Sequence, residues 1–335
     1  MRNKQEAERY YAQPVEIVHG DPAEPNTCIK KFADSGVHFR EITYDTGKGG
    51  EMIEIDQITD VHFNYCNEKD LQNPELAYTV TCRHWLANAS SVPACDKAME
   101  AAKFADLVVV TGDTLDYLTE GAMELTNEHI WGVDPDALIP LGGHDVTRQM
   151  QTGRPNETTI EERYAAVEAA WKHDIYYESR TLGDKVIAVA LDNGQSHYWD
   201  YQIEKLAADI KKARENGMIV LIFQHEPIST RKPEDVEVAA IKRYDPWTCN
   251  FYSNGIGSPD RDPDHATKTV YELIVGNADV VRGVFVGHQH SAFYSEIAGW
   301  YTDENGVRHE KAIPQPVLEG NPYLGCGHIY RIYVK

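Results

Sequence analysis

The sequence predicts an α/β fold with at least one mixed sheet, and three features of the chain lead there. Five short apolar runs, at 52–58, 107–111, 186–191, 218–223 and 280–286, are rich in Val and Ile and bounded by polar or turn residues, as buried strands are. Helical patterns lie between them, the alternation expected of largely parallel strands. The C-terminal part then reads as successive strands at 292–301, from 307 onward and at 329–334, with a turn at Asp303-Glu304-Asn305-Gly306.

In chain order, residues 1–50 are rich in Pro, Gly and polar residues (DPAEPN, DTGKGG). They are expected to form an irregular N-terminal extension, with a strand pair near 15–18 and 37–44. The main domain is expected over 51–335. A helix over 91–105 carries Pro93 in its first turn, where a missing N–H costs nothing. Thr159-Ile160-Glu161-Glu162 has capping-box spacing. Ile160, Tyr164, Val167 and Trp171 follow at steps of four, three and four, which places them on one helical face. Trp199, Ile203, Leu206 and Ile210 repeat the spacing, and Asn216-Gly217 supplies a stop. A fourth helix is expected over 266–274.

A chain of 335 residues with 42% hydrophobic and 25% charged residues can bury a core without staples. That composition excludes collagen-like, coiled-coil and largely disordered readings. No apolar run approaches the ~20 residues of a membrane span. Lys+Arg number 32 against 53 Asp+Glu, a formal charge of −21, which argues against duplex DNA or an anionic membrane as a nonspecific partner. A small phosphorylated substrate stays open, because a bound divalent metal sets the local field. The six cysteines form no CxxC pair, so they read as reduced, buried thiols rather than a zinc ribbon or redox motif. The opening MRNKQEAERYY lacks the apolar core of a signal peptide, and a cytoplasmic location is expected. Nothing in the sequence bears on the oligomeric state.

The residues that follow the strands carry the chemistry. Thr59-Asp60-Val61-His62 follows the first run, and Gly112-Asp113-Thr114-Leu115-Asp116 the second. Gly142-Gly143-His144-Asp145 comes next, then Gln224-His225-Glu226 after the fourth run and Gly287-His288-Gln289-His290 after the fifth. Ligands of open α/β sheets collect at the carboxyl ends of strands. Each block alone is an ordinary turn; the ordered set is specific. Its imidazole and carboxylate donors suit iron, manganese or zinc better than calcium.

In that order the set resembles the calcineurin-like metallophosphoesterases, whose pattern is D-x-H, GD-x-x-D, GNH-D/E, a lone His and GH-x-H. Four of the five blocks match in full, from about Glu51 to His290. The resemblance implies a four-layer sandwich of two mixed β-sheets flanked by helices, with a binuclear metal centre along one edge. Carried over, Asp60, His62 and His290 would bind one ion, His225 and His288 the other, and Asp113 both. His144 would stand by the leaving group, with Asp116 hydrogen-bonded to it. The implied activity is hydrolysis of a phosphomonoester or phosphodiester by metal-bound hydroxide. The alternative is a catalytically weak or silent member of the fold, serving as a binding or scaffold module.

The third block departs from the pattern: the family's Asn, a ligand of the second ion, is Gly143. Either the second site is weak, or another donor fills the position, with Asn193 the candidate, or Gly143 serves a turn needing positive φ. His84, in the segment between the first two blocks, is a candidate substrate contact.

Overall fold

The computed structural model describes residues 37–74, 76–78, 91–147, 158–228, 264–290, 293–318, 320 and 327–335. The strand expected near 15–18 lies outside them, as does His84. The elements are β1 (Val37–Tyr44), β2 (Ile53–Ile58), α1 (Ser91–Ala102), β3 (Leu107–Val110), α2 (Glu120–Thr126) and α3 (Ile160–Ala170). There follow β4 (Tyr177–Leu182), β5 (Val186–Leu191), α4 (Asp200–Glu215), β6 (Ile219–Phe223), α5 (His265–Val275) and β7 (Val281–Phe285). The chain closes with β8 (Phe293–Thr302), β9 (Arg308–Val317) and β10 (Gly327–Val334).

Two four-stranded mixed sheets result, in the orders β1-β10-β2-β3 and β4-β5-β6-β7. In the first, β1 runs parallel to β10 and β2 parallel to β3, while β10 and β2 are antiparallel. In the second, β5, β6 and β7 are parallel and β4 is an antiparallel edge. The β8–β9 hairpin adjoins β7 through a parallel bridge between Val286 and Val317.

Three apolar clusters make the layers. Ile55, Val109 and Ile332 of the first sheet meet Ala188, Leu221 and Phe285 of the second between the sheets. The outer face of the first sheet packs on α1 and α3 through Val108, Val110, Met99 and Val167. That of the second packs on α4 and α5 through Val189, Ile222, Leu206 and Ile274. Helices therefore lie outside both sheets, as expected.

The local signals explain the elements. The Thr159 capping box forms: Glu162 N–H donates to Thr159 Oγ1 at 3.2 Å, and Thr159 N–H to Glu162 Oε2 at 2.8 Å. Leu206 and Ile210 of the α4 stripe are buried. Gly217 ends that helix at φ 61°, a left-handed cap that glycine adopts without strain.

The strand expected at 37–44 forms as β1, which pairs with β10 and completes the first sheet. A buried ion pair, unforeseen in the sequence, fastens the same sheet: the Arg331 guanidinium donates to Asp56 at 2.9 and 2.8 Å. Cys66 and Cys95 are buried free thiols, and the other four cysteines lie outside the described residues. Among the described residues no helix is long and apolar enough to cross a membrane.

Candidate metal centre

Four of the five blocks sit beyond the carboxyl ends of β2, β3, β6 and β7, so both sheets deliver them to one edge, and the third block joins them there through His144 N–H, which donates to Asp113 Oδ1. Backbone bonds align them side by side. Asp60 N–H donates to Gly112 O at 3.1 Å, His62 N–H to Asp113 O at 2.9 Å, and Gly287 N–H to His225 O at 3.1 Å. Gly112 turns at φ 73°, and a Cβ there would lie 2.7 Å from the His225 ring, so only glycine lets the two sheets approach.

Six non-glycine residues among those described have positive φ: Asp60, His62, Asp113, Ser196, His288 and His290. Five of these belong to the expected ligand set. Left-handed backbone at such residues costs of order 1 kcal/mol each and persists where the surroundings over-determine it, commonly at functional sites.

The side chains converge. Asp60, His62, Asp113 and His290 form one group that could hold a metal ion, and Asp113, His225 and His288 a second. Asp113 is common to both. Its Oδ2 lies 3.1 Å from His225 Nε2 and 3.8 Å from His62 Nε2, while its Oδ1 accepts from His144 N–H at 2.9 Å.

The other donors divide their atoms the same way. Asp60 Oδ2 accepts from Thr59 Oγ1 at 2.8 Å and from His288 N–H at 3.0 Å. Its Oδ1 is buried and faces the histidines, 3.0 Å from His290 Nε2 and 3.8 Å from His62 Nε2. His62 Nδ1 donates to Asp116 Oδ1 at 3.0 Å, and His225 Nδ1 donates to Thr111 O at 3.0 Å. Their Nε2 atoms face inward, His62 Nε2 3.1 Å from His290 Nε2 and His225 Nε2 3.2 Å from His288 Nδ1. One atom anchored and the other aimed at a shared point is how metal ligands are held. Nitrogen and carboxylate lone pairs brought this close fit a cation, and the donor set suits zinc, manganese or iron.

The charges point the same way. Burial opposes a charged His62, but its bonds to Asp116 and Asp60 raise its pKa to about 9. Burial likewise opposes charge on His225, and Asp113 raises it to about 10. Burial and the neighbouring His225 push His288 down to about 3. Burial works against the carboxylate of Asp113, yet His225 and His144 hold its pKa well below the usual range.

Three expectations change here. Asp116 was expected to orient His144 by its side chain. Its carboxylate instead takes His62 Nδ1 and, at 2.9 Å, Asn64 Nδ2, and lies 3.7 Å from His144 Nδ1. The bond to His144 Nδ1, at 2.8 Å, comes from the Asp116 main-chain carbonyl. Asn193 was the candidate replacement ligand. Its Oδ1 already accepts two backbone N–H bonds, from His225 and Glu226, both at 3.0 Å, so both lone pairs are used. Gly143, at φ −63° and ψ −37°, is helical rather than left-handed.

The sequence also left two braces unnamed. Asn64 supports Asp116, and Asp145 accepts Leu115 N–H and Gly142 N–H, each at 2.7 Å. Burial and the charge on Asp113 raise Asp145 to about 7. Its place beside His144 in the third block was the available signal.

Two mixed sheets with helices outside, and the blocks gathered at their shared edge, decide the fold. The chain has an α/β fold of two mixed four-stranded sheets flanked by helices. It is similar to a dimetal phosphatase from Danio rerio, at 12% identity, covering 80% of this chain and 87% of that one, with a TM-score of 0.45. It is also similar to a purple acid phosphatase from yellow lupin (Lupinus luteus) seeds, at 11% identity, 86% and 44% coverage and a TM-score of 0.41. A calcineurin-like phosphoesterase from Bacillus subtilis is similar at 13% identity, 82% coverage of each chain and a TM-score of 0.35. No protein-family model and no curated protein matches the chain.

Proposed function

We propose that this chain is a metal-dependent phosphoesterase acting on a small phosphomonoester or phosphodiester. The observation that carries the reading is Asp113, one carboxylate shared by two convergent groups of imidazole and carboxylate donors. In this reading Asp60, His62 and His290 hold one ion, His225 and His288 the other, and Asp113 both. Two such ions supply Lewis acidity to the phosphoryl oxygens and bring a water into its reactive range near neutral pH.

The rest falls to the chain's own groups. His144 is partly exposed and packs edge-on to His62, ring centroids 4.9 Å apart. The Asp116 carbonyl fixes a proton on its Nδ1, so in the imidazolium form the second proton sits on Nε2, the atom that would give it to the leaving oxygen and end as the neutral imidazole. Such acid assistance typically contributes 10²–10⁴-fold. The three protein donors of the second group make that ion the more weakly held, because Gly143 brings no side chain to it.

A second reading, a metal-binding module without turnover, is favoured by Gly143 alone. Metal analysis of the purified chain, paired with a panel of phosphomono- and phosphodiesters, separates the two. Two ions per chain with turnover of at least one ester class is the expected result. Two ions with no turnover across the panel would leave the binding module; no tightly held metal would overturn both.

A further inference from the structure

β6 ends at Phe223, and two main-chain bonds continue toward the neighbouring segment, Gln224 N–H to Phe285 O and Gly287 N–H to His225 O, both at 3.1 Å. The next two N–H groups, of His225 and Glu226, both donate to Asn193 Oδ1, and Asn193 Nδ2 donates back to Glu226 O at 2.8 Å. Asn193 is fully buried. One amide thus satisfies three main-chain groups of the segment that carries His225.

The turn bearing Asn193 is fastened at both ends. Ser196 N–H donates to Asn193 O at 2.9 Å, and Ser196 Oγ donates to the Glu226 carboxylate at 2.7 Å. Ser196 is, among the described non-glycine residues, the one outside the ligand set with left-handed backbone, at φ 59°. At the root, Asp192 Oδ1 accepts Gly194 N–H at 3.0 Å, and its Oδ2 accepts Tyr164 Oη–H at 3.0 Å and Trp199 Nε1–H at 2.7 Å. Gly194 lies against the Gly142 backbone, where a Cβ would come within 2.5 Å.

We propose that Asn193 is a positioning residue for His225, and that the 192–196 turn is a clamp setting the pose of one ligand of the second ion. The inference rests on the two-ion reading above. Ligand distances must hold within about 0.2 Å, and Asn193 takes the His225 and Glu226 N–H groups just beyond the end of β6, while Glu226 O is shared with Gln224 Nε2 at 2.7 Å. The clamp bears on the second group selectively. Asp60 is held by Thr59 and the His288 N–H, and His62 by Asp116.

The test is calorimetric titration of the metal-free full chain with Mn²⁺. The binding event that His225→Ala abolishes marks the second site. Asn193→Ala should weaken that event by about 10–100-fold, the usual loss for a partner that orients a ligand, and leave the other event unchanged. Asn193→Asp keeps the two acceptor bonds and loses the donated one, so it should lose less. If circular dichroism finds Asn193→Ala unfolded, a selective loss in Asn193→Asp carries the test. Equal loss of both events in the folded variants, or wild-type binding in both, overturns the inference alone. A wild-type chain that takes up fewer than two ions overturns the two-ion reading and the inference with it.

Discussion

Asp116 sends its carboxylate to His62 and its main-chain carbonyl to His144. In the two-ion reading this division gives its side chain the task of orienting His62 rather than a part in proton transfer. Asp116→Asn should therefore weaken the ion held by Asp60, His62 and His290 by about 10–100-fold. It should leave the dependence of turnover on leaving-group pKa unchanged. Equilibrium dialysis against graded metal, with rates on a series of aryl and alkyl phosphates, checks this. An altered leaving-group dependence at full metal loading would return the carboxylate to His144.

At the scale of elements, strands with both faces buried were the readable ones. Val186–Leu191 was legible to the residue because every position is buried and apolar. Tyr177–Leu182 was not, because an edge strand with the sequence YESRTL keeps polar, half-exposed side chains. The ligand blocks were legible because their order and spacing survive in one dimension. The clamp was not: Asn193 lies 32 residues from His225, and Asp-Asn-Gly after a strand reads as an ordinary turn. The reach of Asp116 was equally hidden, since its side chain and carbonyl serve two different histidines. Close packing of the turn yields a prediction at this scale. Gly194→Ala would press a methyl into the Gly142 backbone, an overpacking that typically costs about 1–3 kcal/mol. Denaturant unfolding should register that loss, and wild-type stability would show that the turn yields.

For the molecule as a whole, the metal-free centre is a store of protons. His62 and His225 have folded pKa values near 9 and 10 against an ordinary 6.5. Stability from a histidine raised in this way is complete below its unfolded value and is lost as pH climbs through its folded value. His288, held neutral down to about 3, costs stability only as pH falls below about 6.5. The Tm of the metal-free chain should accordingly fall between pH 6.5 and pH 10. Metal competes with the same protons, so its affinity should rise across that window and the bound chain should not show the fall. A metal-free Tm that climbs from pH 6.5 to 10 would contradict these assignments.

The whole account converges on one carboxylate between two ions, and anomalous X-ray scattering at the manganese edge, on crystals grown with Mn²⁺, tests it most directly. The account predicts two peaks roughly 3.5–4 Å apart, with Asp113 between them and the peak beside His225 and His288 the weaker. A single peak, or two peaks with Asp113 bound to only one, would contradict it.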